Sequence, residues 1–85
     1  MTALTPSAAR EIVLAALAEV APDVDAATTP PTATLADLDL DSMDRLDVAA
    51  SIEAQTGRTV AEGAVGPEAT IDGLAAYLAG PEPAG

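Results

Sequence analysis

Apolar side chains recur at intervals of three and four near the start of the chain, which is the spacing of one face of an α-helix. Thr5 followed by Pro6 is a helix-start signal, because the hydroxyl can cap free backbone N–H groups and proline is tolerated at the first helical position. Pro22 closes the segment. We therefore predict a first helix from residue 6 to about residue 20, with an apolar face made of Ala9, Ile12, Val13, Ala16, Leu17 and Val20.

Residues 42–56 predict a second helix, because they include good helix formers and neither proline nor glycine. Asp41 suits its N-cap and Gly57 offers a stop. At 100° per residue, Val48 and Ile52 fall on one side of this helix. The nearly opposite side carries Met43, Leu46, Ala50 and Ala54. A small bundle cannot bury both sides, so one side should face the core and the other a partner, and the wheel leaves open which is which.

The rest of the chain predicts a long loop, short turns and a last helix. Three prolines and four threonines in residues 21–34 favour a loop, and residues 35–38 favour one helical turn. Residues 57–66 are ambiguous, with one turn expected near residues 62–65. A final helix should begin after Thr70 and end at Gly80. Its apolar positions are Ile71, Leu74, Ala75 and Leu78.

These elements predict an all-α fold, a small up-down bundle of three to four helices with a long loop between the first and second main helices. At 85 residues the chain has room for one domain, expected over residues 1–80, with a disordered tail over residues 81–85. Cysteine is absent, which excludes disulfides and thiolate metal sites. Histidine is also absent, so an enzyme would have to work with carboxylates alone.

The formal net charge is −11, from fourteen acidic residues against Arg10, Arg45 and Arg58. Such a surface repels nucleic acid and anionic lipid and favours basic patches on protein partners. No apolar segment approaches membrane-spanning length, and the N-terminus lacks the pattern of a signal peptide. We therefore expect a cytoplasmic protein that binds neither nucleic acid nor membranes.

The stretch with the most chemical information is residues 38–44, Leu-Asp-Leu-Asp-Ser-Met-Asp. It places Ser42 at the predicted start of the second helix, where a side chain is accessible and free N–H groups favour a phosphate. That position suits a serine that is modified. Downstream, Asp44, Asp47 and Glu53 flank the Met43 side of the helix. An apolar strip bordered by acids is a suitable docking surface for a basic, partly apolar partner.

The Asp-Ser-Met triplet at 41–43 resembles the attachment site of acyl carrier proteins, and the order of helices and loops resembles that family over nearly the whole chain. The resemblance implies that Ser42 carries 4′-phosphopantetheine, transferred from coenzyme A by a separate phosphopantetheinyl transferase. It implies that Asp41 helps to hold Mg²⁺ during that transfer. The thiol of the arm would then carry acyl groups as thioesters between enzymes, and the chain itself would not be an enzyme.

The resemblance also predicts which side of the second helix meets partners. It implies that Val48 and Ile52 face the core. The positions that partner enzymes would recognise are Met43, Asp44, Leu46, Asp47, Ala50 and Glu53. The implied partners are an acyltransferase, a ketosynthase or an adenylating enzyme, and we expect a monomer.

The chain departs from the family pattern in several places. Asp39 stands where a glycine is common, Thr56 where a large apolar residue is common, and Arg45 interrupts the acidic helix. Residues 61–67 are unusually rich in glycine. These departures favour polyketide or other specialised synthesis, with fatty-acid synthesis second. Two alternatives remain: a peptidyl or aminoacyl carrier, and an acidic helical interaction domain without a prosthetic group.

A calcium loop is a further possible interpretation, because Asp37, Asp39 and Asp41 take the first, third and fifth places of an EF-hand-like loop. The sixth place should be glycine and is Ser42, and the twelfth should be glutamate and is Val48. The pattern fails at both diagnostic positions, so no metal site is predicted.

Overall fold

The computed structural model describes residues 4–25 and 28–80. In these stretches the chain forms α1 (Pro6–Val20), α2 (Ser42–Thr56), a short 3₁₀ helix (Glu62–Val65) and α3 (Ile71–Ala79). The prediction of a small all-α bundle with three main helices is confirmed. The tail predicted for residues 81–85 lies outside the described residues.

Capping side chains fix where each α-helix begins. The Thr5 hydroxyl accepts a hydrogen bond from the Ala8 amide at 3.1 Å, and the Thr70 hydroxyl accepts one from the Gly73 amide at 2.9 Å. These bonds satisfy donors that have no partner inside the helix. At the end of α2, Gly57 adopts the left-handed conformation with φ of 70°, which glycine takes without the penalty of a β-carbon.

The helix α1 packs against both α2 and α3, while the 3₁₀ helix contacts α2 and α3. The core between them is aliphatic. Val48 and Ile52 are completely buried, so the prediction that this side of α2 faces the core is confirmed. The largest fully buried side chains are Leu17, Leu35, Ile52, Ile71, Leu74, Leu78, Val13 and Val48.

The connection between α1 and α2 is anchored to the segment that precedes α3. The Leu35 amide donates to the Ala69 carbonyl at 2.8 Å, and the Ala36 amide donates to the Pro67 carbonyl at 3.0 Å. The side chains of Leu35 and Leu40 are buried in the core. Because backbone and side chains both hold this segment, the chain enters α2 from a fixed position.

Arg58 holds the end of α3. Its Nη1 donates to the Leu78 carbonyl and its Nη2 donates to the Gly80 carbonyl at 3.4 Å. A cation at a helix C-terminus satisfies carbonyls that lack partners and interacts favourably with the helix dipole. This contact ties the segment after α2 to α3, and its partners lie twenty or more residues away along the chain.

Within residues 4–25 and 28–80, no helix has the length and hydropathy needed to cross a bilayer.

Candidate functional site

Ser42 is the first residue of α2 and is exposed. The turn around it is held by a reciprocal pair of hydrogen bonds. The Asp41 Oδ1 accepts from the Asp44 amide at 2.9 Å, and the Asp44 Oδ2 accepts from the Asp41 amide at 3.4 Å. This capping box fixes the helix start. It leaves the Ser42 side chain on the surface, and none of the side-chain hydrogen bonds found in the described residues engages its hydroxyl.

The chain has two other serines, and their surroundings differ from that of Ser42. Ser51 is buried, and its hydroxyl donates to the Glu19 carboxylate at 3.0 Å. Ser7 is exposed in the first turn of α1, but it follows Pro6 and has no acidic neighbour in the chain. Ser42 is thus the exposed helix-start serine that lies between acidic residues, as the sequence predicted.

Asp39 approaches this site with an unusual backbone conformation. Its φ is 60°, in the left-handed region, and it is the one non-glycine residue with positive φ in the described stretches. Aspartate tolerates this region better than most residues, whereas glycine enters it freely. In the family that the sequence resembles, glycine is common at this position. The structure gives the physical reason why glycine suits it.

A small pocket of about 140 Å³ lies beside Ser42, between α2 and the 3₁₀ helix. Its lining residues are Ser42, Arg45, Leu46, Glu62, Val65 and Gly66. The half-buried Arg45 is held there by a hydrogen bond from its Nη1 to the Leu40 carbonyl at 3.1 Å. In the sequence, Arg45 stood out only as an interruption of the acidic helix. Its position three residues after Ser42, on the same helical face, was the available signal.

The side of α2 opposite the core is exposed. Met43 and Leu46 are 71% and 46% exposed, and they are the large apolar side chains that lie exposed among the described residues. Asp47 and Ala50 are also exposed, and Asp44 is half-buried. The predicted second apolar stripe therefore lies on the surface with acidic residues beside it. Its role in partner recognition stays a prediction.

Glu53 differs from the other residues predicted to meet partners. It is half-buried, and its Oε2 accepts a hydrogen bond from the Val60 amide at 2.7 Å. This bond links the last turns of α2 to the segment that follows. Glu53 therefore has a structural function that its place on the helical wheel did not indicate.

Two of the three aspartates of the possible calcium loop have separate hydrogen-bonding roles. The Asp37 Oδ2 accepts from the Thr34 amide at 3.1 Å, while Asp41 caps α2. Across residues 4–25 and 28–80, no three His, Cys, Asp or Glu side chains form a group that could hold a metal ion.

Comparison with protein families shows which family this chain is similar to. A family model described as the phosphopantetheine attachment site matches residues 11–78, which include all of α2 and most of α1 and α3. No curated protein and no solved structure matches the chain.

Proposed function

This chain belongs to the phosphopantetheine attachment site family, the family of acyl carrier domains, and we propose that Ser42 is the residue that bears its 4′-phosphopantetheine arm. The observation that carries this assignment is the exposed Ser42 hydroxyl at the first position of α2, directly after Asp41. Ser51 is buried, and Ser7 lies outside the matched residues.

The surroundings of Ser42 fit a covalently attached phosphodiester. The hydroxyl is at the surface, so a transferase can approach it, and a pocket of about 140 Å³ lies alongside. Backbone N–H groups in the first turn of a helix favour an anion. In the proposed attachment, the Ser42 Oγ forms a bond to the phosphorus next to the pantetheine of coenzyme A. The pyrophosphate P–O bond breaks, and adenosine 3′,5′-bisphosphate leaves.

The proton of the Ser42 hydroxyl needs a base, and the chain contains no histidine. We assign the base to the transferase. We propose that Asp41 helps to hold Mg²⁺ during the transfer, because the capping hydrogen bond from the Asp44 amide goes to its Oδ1 and a carboxylate has a second oxygen. A carboxylate oxygen is a ligand that Mg²⁺ prefers.

The attached arm supplies a terminal thiol, which this cysteine-free chain otherwise lacks. Carrier domains of this family are generally non-catalytic. We propose that the protein is cytoplasmic and carries acyl groups as thioesters in a specialised system such as polyketide synthesis. The support for the pathway lies at particular positions of the sequence: Asp39, Thr56 and the glycine-rich residues 61–67 depart from the commoner family pattern.

The exposed side of α2 is our candidate for the surface that transferase and acyl-processing enzymes recognise. Met43 and Leu46 offer apolar contact, and Asp47 offers charge for a basic partner. Burial of such apolar anchors with a charged rim is common in protein interfaces. An acyltransferase, a ketosynthase or an adenylating enzyme would use this surface in turn.

Intact mass spectrometry tests the attachment residue. Incubation with coenzyme A, Mg²⁺ and a broad-specificity transferase should add one phosphopantetheine, a gain of roughly 340 Da. Ser42→Ala should abolish the gain. Ser7→Ala is the matched control, because Ser7 is also exposed in the first turn of a helix, and it should load as the wild type does.

Two outcomes would contradict the proposal. A gain that persists in Ser42→Ala would place the arm on another residue. A wild-type protein that is folded but gains no mass would favour an acidic interaction domain.

A separate experiment tests the pathway once loading is established. The mass of the thioester on protein isolated from its native host identifies the cargo, since a polyketide unit, a fatty acyl group and an aminoacyl group differ in mass.

A further inference from the structure

Arg45 is the single basic residue of α2. The other two arginines of the chain have partners in other parts of the fold. Arg10 lies 3.5 Å from the Asp72 carboxylate, which joins α1 to α3, and Arg58 donates to the end of α3. Arg45 is therefore the cation placed to act on a group attached to Ser42.

Helix geometry directs the Arg45 side chain toward Ser42. Residues three apart are neighbours on a helix surface, and their side chains lean toward the helix N-terminus. The hydrogen bond from the Arg45 Nη1 to the Leu40 carbonyl, at 3.1 Å, shows that the guanidinium reaches back beyond Ser42 along the chain. Both side chains also line the same pocket.

The guanidinium has capacity for a second acceptor. Arginine presents five N–H donors in a planar fork, and the Leu40 carbonyl is its one hydrogen-bond acceptor in the described residues. This fork matches the geometry of phosphate oxygens. A bond to Leu40 that keeps the fork in place also reduces the entropy lost when it binds an anion.

The negative charge around Ser42 would make such a contact favourable. The carboxylates of Asp41 and Asp44 lie on either side of it in the capping box, and the chain carries a net charge of −11. A phosphodiester on Ser42 would add another negative charge to this turn. A nearby cation would offset the repulsion between these groups.

We propose that Arg45 is a positioning residue that donates hydrogen bonds to the phosphodiester oxygens on Ser42 and so holds the base of the arm against α2. This inference rests on the proposed attachment at Ser42. It gives Arg45, which departs from the acidic pattern of α2, a direct contact with the prosthetic group.

Nuclear magnetic resonance of the unloaded and loaded protein tests the contact. Loading should shift the Arg45 Nε–H resonance, and Arg45→Gln should shift the ³¹P resonance of the loaded protein. Arg10→Gln is the matched control, since it removes the same charge at a site between α1 and α3. It should leave the ³¹P resonance unchanged. Arg45→Lys keeps a charge that can bind phosphate and should restore part of the wild-type shift.

Thermal unfolding gives a second test, which remains valid if the variant is less stable than the wild type. Arg45→Gln also removes the bond to Leu40, so it should lower the Tm of both forms. The informative quantity is the difference between the Tm of the loaded form and the Tm of the unloaded form of each protein. It should be more positive in the wild type and in Arg10→Gln than in Arg45→Gln.

The outcomes separate this inference from the proposed function. A wild-type protein that gains no mass would overturn both. Full loading of wild type and Arg45→Gln, with the same ³¹P shift and the same Tm difference, would overturn the Arg45 contact alone.

Discussion

At the scale of single residues, Asp41 contributes to folding as the N-cap of α2 and, in the proposed function, to magnesium binding. Its Oδ1 accepts from the Asp44 amide at 2.9 Å. Asparagine offers an equivalent side-chain oxygen and is an equally good N-cap. It lacks the negative charge that favours Mg²⁺. A change to asparagine can therefore separate the two roles.

We expect the free energy of unfolding of Asp41→Asn to lie within about 0.5 kcal/mol of the wild-type value, because asparagine retains the cap. Its rate of phosphopantetheine loading should fall roughly tenfold or more, a change of about 1.4 kcal/mol in the barrier. Asp41→Ala should also lose about 1 kcal/mol of stability. Urea unfolding and time-resolved mass spectrometry measure the two effects. Loading of Asp41→Asn at the wild-type rate would leave Asp41 with the capping role only.

The left-handed backbone at Asp39 leads to a second prediction. A β-branched side chain is disfavoured at its φ of 60°, so Asp39→Val should destabilise the fold by about 1–2 kcal/mol. Asp39→Asn should be nearly neutral, because asparagine tolerates this region. Both effects can be measured by urea unfolding. Asp23→Val is the control, since Asp23 is exposed and has no positive φ. Equal losses at both positions would point to a cause other than backbone conformation.

At the scale of elements, Arg58 links the segment after α2 to the end of α3. We predict that Arg58→Gln lowers the free energy of unfolding by about 1–3 kcal/mol, because two carbonyls lose a charged donor. Arg10→Gln removes the same charge from an exposed ion pair and should cost less than about 1 kcal/mol. Urea unfolding of the two variants provides the comparison. A loss at Arg10 as large as that at Arg58 would contradict the prediction.

The surface of α2 gives a prediction on partner enzymes. Leu46→Glu should weaken turnover by an enzyme that acts on the loaded carrier, because it places a charge within the exposed apolar strip. Asp47→Arg should do the same by reversing a charge that a basic partner would meet. Circular dichroism should show unchanged helicity. Ala15→Glu on the exposed side of α1 is the control. Normal kinetics in the α2 variants would indicate that partners use another surface.

The sequence predicted local features of these elements well and long-range contacts poorly. The bounds of α2 follow from Asp41 and Gly57, because caps and stops depend on residues within one helical turn. Periodicity identified both apolar sides of α2 without ranking them, the family resemblance predicted that Val48 faces the core, and the structure confirms that prediction.

The contacts of Glu53 with Val60 and of Arg58 with Leu78 could not be predicted in this way. Each depends on how a loop folds back, and no repeating pattern in the sequence encodes that. The same limit applies to the candidate site. The sequence indicated Ser42 and Asp41 from a local triplet. The pocket beside Ser42 and the hydrogen bond that holds Arg45 in it are visible only in the structure.

At the scale of the whole molecule, charge opposes the compact state. Fourteen acidic residues face three arginines, so most carboxylates cannot have a cationic partner whatever the geometry. Self-repulsion of this kind destabilises a folded protein and is screened by salt. The core is aliphatic and small, so its favourable contribution leaves a narrow margin.

We therefore predict that raising NaCl from about 0.02 M to about 0.5 M increases the Tm by several degrees, since a gain of 1 kcal/mol corresponds to roughly 4–8 °C in a domain of this size. A variant that neutralises three exposed acids away from the site (Glu11→Gln, Asp23→Asn and Glu68→Gln) should have a higher Tm at low salt and a smaller response to salt. Differential scanning calorimetry measures both. If the variant and the wild type respond equally, the salt effect would come from a stronger hydrophobic effect rather than from screened repulsion, because added salt can also strengthen apolar burial.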